Sequence, residues 1–398
     1  LLDGEYTARV KTIYNDLGEP TSIIDALGKE TRFLYEDVSD DMGQTVLKKT
    51  IIDPSGVSTV MIFDAFQRMT SLTKLTPHGE LLSQQSVAYD LAGNKVLEEN
   101  LVISESTQKN QRTAWIFGPM NRIDEMHEAL GTEKERVTRY TYGDDGRLSE
   151  KLLPGMSLPI TYTYSKEGKL YKIYYREGDD DDLQISNRYS YDRRGNVTSA
   201  YSLGGKSVSR SYNAFDEVIR ETIKEEGSEY SVHYEYDRLG RITLIRLPDG
   251  SKIQYSYDAL YGKSVSRISP SGGLLYTHEY QDYDEWGRLK EEKMLGFLGV
   301  RKKEWDLGNQ QISSECDYYK ERVPQSGYDA LGNLLQLHRE GSFEPSDLSY
   351  VYNKLSQVTS EKGDAQQTYS YDSIGNRLNK NKEQYTYDPL NQLLKTPQ

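Results

Sequence analysis

The sequence predicts an all-β protein: a repeat array of antiparallel β-hairpins forming a spiralling sheet, part of a hollow β-shell. Three observations lead there. A Tyr-Asp-x-x-Gly-Asn/Arg unit returns at intervals of a little over twenty residues. Each copy is preceded by alternation of period two, rich in tyrosine and β-branched residues, which is strand patterning. The chain is also poor in apolar residues yet crowded with tyrosine, which suits a sheet wetted on both faces better than a filled core.

The unit carries its own turn chemistry. Its clearest copies are Tyr191-Asp192-Arg193-Arg194-Gly195-Asn196, Tyr236-Asp237-Arg238-Leu239-Gly240-Arg241, Tyr328-Asp329-Ala330-Leu331-Gly332-Asn333 and Tyr371-Asp372-Ser373-Ile374-Gly375-Asn376. An Asp opening a type I turn accepts a hydrogen bond from the backbone two residues on, and a Gly in the fourth position tolerates positive φ. Together they make a short hairpin loop with a G1 bulge. The Tyr, Asp, Gly and Asn or Arg of these copies are therefore the candidate functional residues, and the function expected of them is structural. Tyr-x-Tyr precedes the turns, as in Tyr140-Thr141-Tyr142, Tyr189-Ser190-Tyr191, Tyr234-Glu235-Tyr236 and Tyr255-Ser256-Tyr257. Each unit thus reads strand, tight turn, strand. From Tyr212 to Tyr236, Tyr236 to Tyr257 and Trp305 to Tyr328 the steps are 24, 21 and 23 residues, a period typical of stacked arrays. With two turns removed, roughly 6–8 residues remain per strand, or about 20–27 Å.

In chain order, looser copies open the array at Tyr14-Asn15-Asp16-Leu17-Gly18 and Ile24-Asp25-Ala26-Leu27-Gly28. Asp53-Pro54-Ser55-Gly56, Pro248-Asp249-Gly250 and Pro270-Ser271-Gly272 read as turns at the opposite strand ends, so that the sheet meanders. Copies follow at Phe63, Tyr89, Phe117, Tyr142, Tyr164, Tyr212, Tyr283, Trp305 and Tyr352, with a less regular stretch from Glu98 to Trp115. Three places break the rhythm: the acidic run Asp179–Asp182, the apolar segment Leu295–Val300, and the connector Glu321-Arg322-Val323-Pro324-Gln325-Ser326-Gly327. No composition shift marks a boundary, so residues 1–398 read as one array. It starts without Met, inside the pattern, and ends just past Tyr387-Asp388-Pro389-Leu390, as a piece of a longer shell would.

Composition narrows the function. Lys and Arg number 49 against 62 Asp and Glu, a net charge of −13, whereas a nucleic-acid partner demands a basic footprint. A single cysteine, Cys316, excludes an internal disulfide framework. No apolar stretch has the length of a membrane-spanning helix, and Leu1-Leu2-Asp3-Gly4 is not a signal peptide. Only 36% of residues are hydrophobic, yet there are 33 Tyr against 7 Phe. Disordered chains are poor in aromatics. Tyrosines stacked on neighbouring strands form cross-strand ladders worth roughly 0.2–1 kcal/mol per pair, with rings that pack and hydroxyls that stay wet.

The Tyr-Asp-x-x-Gly-Asn/Arg-x-hydrophobic unit, repeated across residues 10–395, resembles the RHS/YD-repeat family: bacterial Rhs polymorphic toxins, the B and C components of Tc toxin complexes, and the teneurins. The resemblance implies a long sheet spiralling into a hollow cocoon, which in the bacterial members encloses a toxic polypeptide and in teneurins supports adhesion. The bacterial members carry an Asp-Pro-x-Gly-Leu signature where cargo is cut free. Asp388-Pro389-Leu390-Asn391 lacks its Gly, and Asp53-Pro54-Ser55-Gly56-Val57 is at the wrong end, so self-cleavage is not expected.

The search for chemistry returns structural readings. His78, His127, His233, His278 and His338 are scattered, without paired metal-ligand spacing. Asp179–Asp182 lacks the alternation of an EF-hand and reads as a solvated acidic loop. Cys316 reads as a half-buried bystander. Asn196-Val197-Thr198 fits a glycosylation acceptor only by coincidence with a motif turn. No nucleophile elbow or phosphate loop occurs. We therefore expect a non-enzymatic, cofactor-free segment of a secreted or cell-surface protein. Its partner would be a polypeptide cargo such as a toxin domain, or further shell segments. The alternative is an adhesion surface for a glycan or receptor, its tyrosines stacking on sugars.

Overall fold

The structure is a computed structural model that describes residues 10–40, 42–104, 107–175, 184–295, 298–341, 346–363 and 365–395. The acidic run Asp179–Asp182, together with Gly296 and Phe297 of the apolar segment, lies outside these residues. Among the described residues there are 35 β-strands and one short 3₁₀ turn at Pro119–Asn121, with no α-helix. The chain is an all-β array of antiparallel hairpins.

It divides into two compact units, Leu1–Val137 with Lys303–Gln398, and Thr138–Lys302. In the first, ten strands run from Val10–Tyr14 to Ile123–Glu128, each antiparallel to the next. A second stretch of the same unit meanders from Gln311–Glu315 to Glu383–Gln384 and ends in a small hairpin of Thr386–Tyr387 with Leu393–Lys395. The other unit meanders likewise from Arg136–Tyr142 to Val300–Trp305. Every meander has two rows of turns. The Tyr-Asp turns form a motif edge, and turns such as Asp53–Val57, Leu247–Ser251 and Ser269–Gly273 form the far edge.

The sheet is one layer thick. The hydrophobic residues buried among those described are Val46, Val57, Ala129, Cys316 and Leu348, far too few for a sandwich interior. Tyr189, Tyr191, Tyr234, Tyr236, Tyr255 and Tyr257 are half-buried on one face while the residues between them are exposed on the other. Cys316 is fully buried rather than half-buried.

Two local expectations are corrected. Glu98 to Trp115 is regular: Lys95–Ile103 and Gln108–Phe117 pair continuously, although polar residues from Gln108 to Arg112 hide the alternation. At Tyr328 the hairpin shrinks to an isolated bridge with Leu334. The amides of Leu335 and Gln336 both donate to the carbonyl of Gly327, so the Pro/Gly connector takes backbone partners that a full strand would need.

Candidate functional site

The four clearest motif copies form their backbone turns at Asp192, Asp237, Asp329 and Asp372. In the Tyr236 copy the Asp237 amide donates to the Arg241 carbonyl at 2.9 Å, and the Gly240 amide to the Asp237 carbonyl at 3.1 Å. Asp237 Oδ1 accepts from the amides of Leu239 and Arg241 at 2.8 and 3.0 Å. The register shifts between Glu235 and Tyr236, as a G1 bulge requires. Gly240 has φ 78°, and Gly195, Gly332 and Gly375 are also left-handed. Asp192, Asp329 and Asp372 repeat the caps on Arg194 and Asn196, Leu331 and Asn333, Ile374 and Asn376.

The tyrosine hydroxyls are not simply wet. Tyr236 donates to the Val218 carbonyl at 2.7 Å, Tyr257 to Ile242 at 2.7 Å, Tyr212 to Val197 at 2.7 Å and Tyr191 to Leu170 at 2.8 Å. Tyr328 donates to Gln311 at 2.7 Å and Tyr89 to Met69 at 3.1 Å. In each case the acceptor is the residue that reopens the strand after the preceding motif turn. Every motif tyrosine in this series therefore locks its own repeat to the one before it.

The last turn residue locks it to the one after. Arg241 Nε meets Asp237 Oδ2 at 2.7 Å, its Nη1 donates to the Asp258 carbonyl of the next turn at 3.0 Å, and its guanidinium covers the Tyr257 ring at 4.4 Å. Asn196 bridges Asp192 and Asp216, Asn333 bridges Asp329 and Ser356, and Asn376 bridges Asp372 and Asn391. With both amide protons of Asn196 so engaged, its place in the turn is structural.

The electrostatics follow this geometry. The Arg241 amide foremost, and its guanidinium, hold the Asp237 carboxyl below the usual carboxylate range. At Asp192 and Asp329 desolvation pushes upward but is outweighed by hydrogen bonds from Asn196 and Asn333. Partial burial pushes the hydroxyls of Tyr191, Tyr236 and Tyr328 up, with Glu217 and Asp306 adding to it at the last two. Three histidines have acidic partners. His127 lies between Glu135 and Glu125, His338 between Asp347 and Glu340, and His278 meets buried Glu292 at 2.7 Å, which also accepts from Arg301.

One feature had no sequence signal. In the unit Leu1–Val137 with Lys303–Gln398, the far edge of the first stretch seats on the motif edge of the second. Lys29 Nζ donates to the Asp329 carbonyl at 2.9 Å. Ser373 Oγ bridges the Leu101 carbonyl and the Ile103 amide, and Gln111 bonds the Pro389 carbonyl and Asn391. A Cβ on Gly308 would stand 2.5 Å from Leu27 Cδ1. This explains an oddity: in Asp306-Leu307-Gly308-Asn309 the left-handed residue is Asn309, and the glycine serves the seam. A cleft of about 630 Å³ opens along the seam, lined by Lys109, Asn110, Asn376, Tyr385, Tyr387 and Asp388 among others.

A row of Tyr-Asp turns clamped both ways along a single-layer sheet defines the class. Residues 236–274 match the family model of the RHS repeat. Among solved structures it is similar to the crystal structure of TcdB2-TccC3 without its hypervariable C-terminal region, with a TM-score of 0.65 and 13% identity over 96% of this chain and 21% of that one. It is likewise similar to TcdB2-TccC3, at 0.65 and 14% over 96% and 22%, and to TcdB2-TccC3-Cdc42, at 0.54 and 12% over 95% and 26%. At such identity the likeness establishes the fold, and the chain spans about a fifth of the length of the first two. No curated protein matches it in sequence. Among the described residues no helix is long and apolar enough to cross a membrane.

Proposed function

We propose that the chain is a wall segment of a secreted toxin-type shell, non-catalytic in itself, whose sheet curves around a volume that holds a polypeptide. The observation that carries this reading is the one-layer sheet, clamped repeat to repeat through the motif tyrosines and the Asn or Arg that follow the glycine. A layer that stiff needs no interior oil, which leaves room for contents. The similar structures support the reading, since one lacks a hypervariable C-terminal region and another includes Cdc42. Electron-microscopy projections of the protein at its full natural length test it: a closed capsule with interior density is expected, and a solid rod refutes it.

A second reading, adhesion through a glycan, is favoured by the seam cleft, where Tyr385 and Tyr387 stand beside Asn110 and Asn376. Aromatic faces beside amides suit a sugar. Glycan-array binding lost on Tyr385→Ala would support it, and silence on the array would return the weight to the shell.

A further inference from the structure

We propose that the motif edge of the unit Thr138–Lys302 is a docking surface for a second copy of this chain, which enters with its far-edge turns. The inference stands on the seam described above and not on the shell reading.

The third residue of each motif turn stands at its tip. Phe215, Leu239 and Leu260 occupy this position in three successive repeats and are 83%, 71% and 77% exposed. They form one row: a Cβ on Gly240 would stand 2.7 Å from Glu217 of the turn before, and Arg241 bonds the Asp258 carbonyl of the turn after. Neighbouring tips are thus about two strand spacings apart, roughly 10 Å. Three large apolar side chains thus stand in a line on exposed surface.

The chain itself shows what covers such a row. Along the seam the same turn position holds Leu331 and Ile374, which are 39% and 36% exposed. Their cover is a far edge: Leu27 packed against Gly308, the Lys29 ammonium on a turn carbonyl, and backbone of Leu101–Ile103 on Ser373. The recognition chemistry is an aliphatic side chain beside an ammonium, laid over turn backbone. The far edge of Thr138–Lys302 offers the aliphatic part of that set. Leu203 is exposed in the turn that ends at Lys206, and Leu274 is exposed beyond the turn Ser269–Gly273. Motif edge and far edge are unlike patches of one molecule, so the contact is head-to-tail and adds copies in series instead of closing a twofold dimer.

Sedimentation velocity of this chain from about 1 to about 100 µM reads the association, a range matched to micromolar affinity. The weight-average mass is expected to rise with concentration beyond that of a dimer. The triple variant Phe215→Asp, Leu239→Asp, Leu260→Asp is expected to associate at least about tenfold more weakly. It keeps its fold, because Asp145, Glu167 and Arg194 hold the same turn position elsewhere, and circular dichroism checks this. The far-edge variant Leu203→Asp, Leu274→Asp is expected to weaken association similarly. Mixed, the two variants retain one good edge and one good far edge between them and should form a dimer that grows no further. A wild-type chain that stays monomeric throughout overturns the proposal. So does a triple variant that associates like the wild type, or a mixture that yields no dimer.

Discussion

Replacing Gly240 by Val tests the turn on which the array depends. Gly240 has φ 78°, a region that costs an L-residue roughly 1–2 kcal/mol and a β-branched one the most. The new Cβ would stand 2.7 Å from Glu217 Oε1, but that is the far end of a flexible side chain and it can swing away. The cost is therefore mainly backbone strain, and we expect about 2 kcal/mol for Gly240→Val. Gly240→Asn should cost less, about 1 kcal/mol or under, because Asn tolerates the left-handed region. The chain supplies the control, since Gln67, Asp216, Ser356 and Asn391 hold this turn position at φ 62°, 65°, 59° and 59°. For a unit the size of Thr138–Lys302 each kcal/mol lowers the melting temperature by about 2–4 °C, so the Val variant should melt roughly 4–8 °C lower. Because each repeat is stabilised by its neighbours, amide exchange should locate the loss in the hairpins around Tyr236 and Tyr257. A Val variant that melts like the wild type, or an Asn variant as damaged as Val, refutes the placement.

Tyr236→Phe removes the hydrogen bond to the Val218 carbonyl and should cost about 1 kcal/mol. Tyr234→Phe, whose hydroxyl has no protein hydrogen bond among the described residues, should cost less; equal losses in urea melts would contradict the ladder. His127 faces a carboxylate at each ring nitrogen, 2.8 Å to Glu135 and 3.0 Å to Glu125, and carboxylates only accept. Its pKa is raised, foremost by Glu135, against an opposing pull from burial and with further help from Glu125. The stability it contributes is therefore complete below the ordinary value of about 6.5 and lost as pH rises through the higher folded value. Urea midpoints should fall across that window in the wild type and less in His127→Gln; identical profiles would remove the clamp from the account. At the alkaline end, burial raises Tyr164, Tyr191, Tyr236, Tyr257 and Tyr283. Their contribution is complete below about pH 10 and lost as pH rises through the folded values. Tyrosinate absorbance should lag behind free tyrosine and then rise together with unfolding, and early titration without loss of structure would count against the ladder.

What could be read in the sequence and what could not divides along chain distance. The Asp-x-x-Gly turn is local: Asp237 finds its partners at Leu239 and Arg241, so composition and spacing suffice to predict it. The tyrosine hydroxyl is not local in this sense. Its acceptor is 18 residues upstream for Tyr236 and 15 for Tyr257, and only the pairing register of the intervening strands brings them together. Alternation reported that the ring packs and could not report where the hydroxyl goes. At Asp306-Leu307-Gly308-Asn309 the sequence was misleading, because the glycine answers to Leu27, far along the chain, while Asn309 does the turn's work. Gln67, Asp216 and Ser356 mislead in the opposite sense, holding left-handed backbone with no glycine to announce it.

The same division explains why the array tolerates such variety. A repeat clamped to its predecessor by a tyrosine hydroxyl and to its successor by an Asn or Arg has its stabilising contacts along the row of turns, away from the exposed face. The residues between the tyrosines are then free to be Arg188, Ser190, His233, Glu235 or Gln254 without cost to the fold. Tyrosine suits this role better than phenylalanine because its ring covers a neighbouring strand and its hydroxyl also closes the carbonyl where that strand reopens. A single-layer sheet has little buried apolar area to hold it together, so its order must come from directional contacts repeated at every turn. The excess of 33 Tyr over 7 Phe is the compositional trace of that requirement.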